Sequence, residues 1–95
     1  SIADEEWADV LELTAYPDEA MALSSSGIVP PEVGVDWQDE NGVVTHELEW
    51  VWKDRKVAFA VTDDDFRAVL EAAEWRVVSS LNEEDMLQLK NWLSE

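Results

Sequence analysis

One histidine, one run of three serines and one run of three aspartates are the obvious carriers of chemistry in this chain. His46 sits in Thr45-His46-Glu47-Leu48, beside apolar strand-like residues. A metal site built on it needs partners, and the chain holds no other His and no Cys to complete a nitrogen or sulfur set. His46 therefore reads as a structural or half-exposed residue. Ser24-Ser25-Ser26 offers hydroxyls, but no Gly-x-Ser-x-Gly elbow presents a nucleophile anywhere in the sequence. The triplet reads as a fraying helix end. Asp63-Asp64-Asp65 lacks the alternating spacing and the glycine of a calcium loop, and three consecutive side chains do not all point one way. It reads as the solvated start of a helix. Gly27, Gly34 and Gly42 are too far apart to form a phosphate-cradling loop.

The tryptophans raise a different possibility. Trp37, Trp50, Trp52 and Trp75 could stack on the bases of a single strand, a mode that also needs a positive channel. The only basic cluster is Lys53, Arg55 and Lys56. Packing in a core or interface is the better reading. Asp and Glu total 23 against 6 Lys and Arg, a formal charge of −17. Such a field repels phosphate, whether in duplex nucleic acid or on an anionic membrane. Adaptation to high salt and a surface built for a basic partner both account for the excess acid. Its spread along the whole chain favours a general surface property.

Ninety-five residues allow one domain, and a hydrophobic share of 46% with 6 Trp is that of a chain that folds. No apolar run approaches the roughly 18 residues of a membrane span. With no Cys there are no disulfides to form. Ser1-Ile2-Ala3-Asp4 carries no initiator Met and no signal-peptide pattern, so the expectation is a cytoplasmic segment of a longer protein.

The elements follow from periodicity. Trp7, Val10, Leu11 and Thr14 carry helical spacing over residues 3–14, and Pro17 opens a second helix that runs towards Gly27. Residues 28–32 form a stiff connector. Val33, Val35 and Trp37 alternate with polar residues, Asn41-Gly42 signals a hairpin, and the return strand spans Val43–Trp52. Strict alternation puts Val44, His46, Leu48, Trp50 and Trp52 on one face of that strand, with Glu47, Glu49 and Val51 on the other. Val57–Val61 is uniformly apolar, as expected of an interior strand covered on both faces. Thr62 is the expected N-cap of a helix that carries Phe66, Val69, Leu70 and Ala73 on one face. A short strand, Arg76–Ser79, and a helix behind Asn82, burying Met86, Leu89 and Leu93, complete the chain. The fold class is α/β, a small mixed sheet of about four strands flanked by helices, in the order α-α-β-β-β-α-β-α.

Three stretches carry a resemblance: Leu48-Glu49-Trp50, the run from Trp52-Lys53-Asp54 to Ala60-Val61, and Ala72-Ala73-Glu74-Trp75-Arg76-Val77-Val78. Together with the strand and helix order, they resemble the restriction-endonuclease-like PD-(D/E)XK superfamily, particularly its very-short-patch-repair type branch. Similar segments form the C-terminal extensions of large bacterial DEAD/DEAH-box helicases, where Pro31-Glu32-Val33-Gly34 and Glu47-Leu48-Glu49-Trp50 have counterparts. The resemblance implies a nuclease-like core over residues 33–79, with a helical part at 1–27 before it and a helix at 82–94 after it.

In an active member, one strand supplies a carboxylate and the next an acid-x-Lys, which hold Mg²⁺ and orient the attacking water. Carried over, Glu49 falls on the first carboxylate, while Ala60 and Thr62 replace the acid and the lysine. The resemblance therefore implies a core without catalytic residues, cofactor or metal, with Glu49 as a vestige. The expected function is an accessory or interaction domain of a larger protein, a helicase in that setting. It would contact the rest of its parent or a protein partner, and neither duplex nucleic acid nor membrane. Two alternatives stay open: a divergent metal-dependent nuclease using Asp36, Glu49 and Asp63 as ligands, and a stand-alone acidic protein that binds a basic partner or mimics DNA.

Overall fold

A computed structural model describes all residues from Ser1 to Glu95. The order is α1 (Ile2–Leu13), α2 (Pro17–Ser25), β1 (Glu32–Gln38), β2 (Val44–Trp52), a 3₁₀ turn (Lys53–Arg55), β3 (Val57–Phe59), α3 (Asp64–Ala72), β4 (Arg76–Val78) and α4 (Glu83–Leu93). The strands form one mixed sheet in the order β1-β2-β3-β4, antiparallel for the first two pairings and parallel for the last. The α-α-β-β-β-α-β-α order and the α/β class are those read from the sequence. The radius of gyration is 13.1 Å.

Two apolar clusters cover the two faces of the sheet. Trp50, Trp52, Val57, Phe59 and Val78 meet Trp7 and Val10 of α1, Ala20 and Leu23 of α2, and Leu89 and Leu93 of α4. Leu48, Val51, Ala58 and Val77 meet Phe66 and Leu70 of α3 on the other face. β3 is thus an interior strand with both faces buried, as its apolar run requires. It stops at Phe59, short of the expected Val61. Ala60 is still buried, whereas Val61 is 61% exposed because the chain has left the sheet to reach α3.

Indoles tie α1, the connector after α2 and the sheet together. Trp7 Nε1 donates to the Ile28 carbonyl (2.8 Å), Trp52 Nε1 to the Val29 carbonyl (2.7 Å) and Trp50 Nε1 to Thr14 Oγ1 (3.0 Å). Each buries a large apolar surface while satisfying its only polar atom, which is how Trp is accommodated in a core. Tyr16 adds edge-on contacts with Trp50 and Phe59. Ser1 caps α1 reciprocally with Asp4, and the Ser1 hydroxyl, followed by the terminal ammonium, holds the Asp4 carboxyl below its usual range.

Three further sequence readings change in the structure. The N-cap of α3 is Asp63, not Thr62: Asp63 Oδ1 accepts the Phe66 N–H at 2.8 Å, while Thr62 Oγ1 lies 3.1 Å from Ser79 Oγ. Val69 is half exposed, since α3 covers the sheet with Phe66 and Leu70 and leaves Val69 on its flank. The expected hairpin forms, with positive φ at Gly42 in its loop, and Asp39 closes it by accepting the N–H groups of Asn41 and Val43. The strict alternation expected along β2 also fails, because Leu48 belongs to the α3 side and Trp50 to the opposite side. β1 switches at the same level, with Val33 on one side and Val35 and Trp37 on the other. Gly34 stands between the paired couples Val33–Trp50 and Val35–Leu48, and its φ of +68° falls at the level of the switch.

Candidate functional site

The residues that the nuclease resemblance singles out come together where β2, the end of β3 and the start of α3 meet. The half-buried Glu49 side chain reaches the end of β3. There Glu49 Oε2 accepts the Val61 N–H at 2.8 Å. Ala60 is fully buried and donates its N–H to the Val78 carbonyl at 3.0 Å, extending the parallel ladder by one bond. Thr62 points away, to Ser79. Glu49, Ala60 and Thr62 thus form a structural joint: one carboxylate ties down a backbone N–H, and two residues bear no charge.

Sequence reasoning missed Arg67. Its Nη1 donates to Ser79 Oγ at 2.9 Å, its Nη2 to the Val77 carbonyl at 2.6 Å, and its Nε lies 3.4 Å from Glu71. Val77 belongs to the edge strand β4, so the guanidinium covers a carbonyl that would otherwise be an open edge. A single Arg in an acidic helix gives no signal of this, because the contact spans the β3-α3-β4 crossover.

Asp36, Glu49 and Asp63 do not converge. Asp36 is exposed on the edge strand β1, paired across the ladder with Glu47, a like-charge neighbour. Asp63 is occupied as a helix cap. No three His, Cys, Asp or Glu side chains gather into a metal-holding group.

The basic cluster is used up internally. Lys53 pairs with Glu32 at 3.4 Å, Arg55 donates to the carbonyls of Trp92 and Glu95 at 3.0 Å each, and Lys56 donates to the Ala73 carbonyl at 2.8 Å. Arg76 adds two bonds to the Glu95 carboxylate, at 2.9 and 3.1 Å, and lies 5.5 Å over the Trp92 ring. Arg55 and Arg76 fasten the C-terminal helix, Lys53 holds β1 and Lys56 the end of α3, and together they form no track for phosphates. Acids, by contrast, occur on every helix and on β1 and β2.

A cleft opens at the far end of the hairpin, on the α3 side. Trp37, Thr45 and His46 of the sheet face Asp63, Asp65, Phe66 and Val69, and the loop residues Gln38, Asp39 and Glu40 close one end around about 530 Å³. His46 lies flat on Phe66, with centroids 3.6 Å apart and planes 4° from parallel. Trp37 meets Phe66 edge-on at 6.1 Å and Trp75 at 6.3 Å. His46 is therefore an exposed stacking residue that covers Phe66.

No protein-family model, curated protein or solved structure matches the chain.

Proposed function

We propose that this chain is a non-catalytic, nuclease-like accessory domain that serves protein interaction within a larger cytoplasmic protein, a DEAD/DEAH-box helicase in the setting the resemblance suggests. The observation that carries the reading is the bond from the Val61 N–H to Glu49 Oε2 at 2.8 Å. The carboxylate that would hold a metal in an active relative here replaces a strand partner for the backbone. Its neighbours Ala60 and Thr62 offer neither a second carboxylate nor an ammonium to position a water. The internal use of Lys53, Arg55, Lys56 and Arg76 supports a domain that does not hold duplex DNA, since phosphate binding needs free clustered cations. Acids distributed over every helix weigh against DNA mimicry, which needs them in a phosphate-like array on one face. No helix is long and apolar enough to cross a membrane.

A Mg²⁺ titration of the ¹⁵N-labelled chain tests this reading. Weak shifts scattered over the acidic surface are expected. A saturable set confined to Asp36, Glu49 and Asp63 would identify a working metal site and overturn the proposal.

A further inference from the structure

We infer that the cleft between the far end of the hairpin and the first turns of α3 docks an arginine side chain from a basic segment of a protein partner. The exposed His46 ring, stacked over the buried Phe66, lies in it with Trp37 and Val69, and no Lys or Arg lines it. Its rim carries Asp39, Glu40, Asp63 and Asp65. Asp39 and Asp63 each spend Oδ1 on backbone N–H groups, which leaves Oδ2 unengaged, while Glu40 and Asp65 make no hydrogen bond or ion pair within the chain. Flat rings below and carboxylates around the mouth match a guanidinium, which stacks on aromatic planes and donates in a fork to carboxylates. Arginine's aliphatic stem suits the Val69 wall.

Charge selects this occupant over others. A second copy of the chain would bring another net −17 to an acidic mouth, and phosphate would be repelled in the same way. The inference rests on the interaction reading and not on the nuclease likeness. The cleft shares Asp63 with the metal candidates but neither Asp36 nor Glu49, so a metal response at those two and an arginine response at Trp37 and Val69 can fail separately.

The test is an NMR titration of the chain, at about 0.15 M salt to screen diffuse attraction, with a short peptide alternating Gly and Arg and with its citrulline counterpart. The expected result is saturable shifts at the Trp37 indole, His46 and Val69 with the arginine peptide and none with citrulline. Glu40→Gln combined with Asp65→Asn should weaken binding about fivefold, the sum of two modest exposed charge contacts. Val69→Lys, at an exposed position that keeps the fold, should abolish it by placing a cation at the wall. Glu83→Gln with Glu84→Gln removes the same charge at the start of α4 and should leave affinity unchanged. Shifts spread over the whole surface, equal weakening by the α4 pair, or no saturable binding would each overturn the assignment.

Discussion

Glu49 Oε2 accepts the Val61 N–H at 2.8 Å across twelve positions of sequence, joining the middle of β2 to the segment that leaves β3. Val61 has left the sheet at that point, and the Glu49 carboxylate supplies the acceptor that a strand partner would otherwise give its N–H. It makes an acid that looks catalytic by position a substitute for a strand partner.

Glu49→Ala should therefore destabilise the fold by about 0.5–1.5 kcal/mol, the usual net worth of one hydrogen bond. Glu49→Gln keeps an acceptor oxygen and should lose clearly less. Urea unfolding of the three proteins is the check. Equal losses would show that the carboxylate's charge matters and the bond does not.

Trp50 and Thr14 form the second joint. Trp50 is fully buried, and Thr14 Oγ1 is the partner of its indole N–H as well as the acceptor for the Tyr16 N–H at 3.1 Å. Thr14→Val should cost about 1–3 kcal/mol by leaving the indole unsatisfied, while Thr14→Ser should recover most of it. A Thr14→Val protein as stable as the parent would mean that water or another acceptor reaches the indole.

Glu74 holds φ at +68° just beyond α3, where its N–H meets the Glu71 carbonyl and the Trp75 N–H meets that of Leu70. A side chain in this left-handed conformation costs about 1 kcal/mol relative to glycine. Glu74→Gly should raise the urea midpoint, and Gly34→Ala, at another positive φ, should lower it. If both moved the midpoint the same way, backbone strain would not be the cause.

Much of the fold was legible because periodicity and punctuation agree over residues 3–14, 33–52 and 57–61. Uniform apolarity in Val57–Val61 marked the interior strand, although only the structure shows the chain leaving the sheet after Ala60. The face switch between Leu48 and Trp50 was not legible, since a period of two assumes a regular pleat and Gly34 breaks it from the neighbouring strand. The cleft was missed for a similar reason. Trp37, His46 and Phe66 lie far apart in sequence, and each alone reads as packing. His46 is exposed, and its stacking partner Phe66 lies on an element that only the fold brings near.

The surface field gives a prediction of its own. With a net charge of −17 and most cations already paired inside the domain, the remaining carboxylates repel one another through solvent. Screening over a Debye length of about 10 Å at 0.1 M salt should relieve this, so Tm should rise from low to high NaCl. A flat or falling curve would mean that the acids stand too far apart to matter.

The most direct test of the central claim is incubation of supercoiled plasmid with the 95-residue chain in Mg²⁺ and, separately, in Mn²⁺. No nicked or linear product should form, because Ala60 offers no oxygen to a metal, Thr62 no ammonium to a water, and Glu49 is held by the Val61 N–H. Nicking that depends on the metal and disappears in Glu49→Ala would contradict the account.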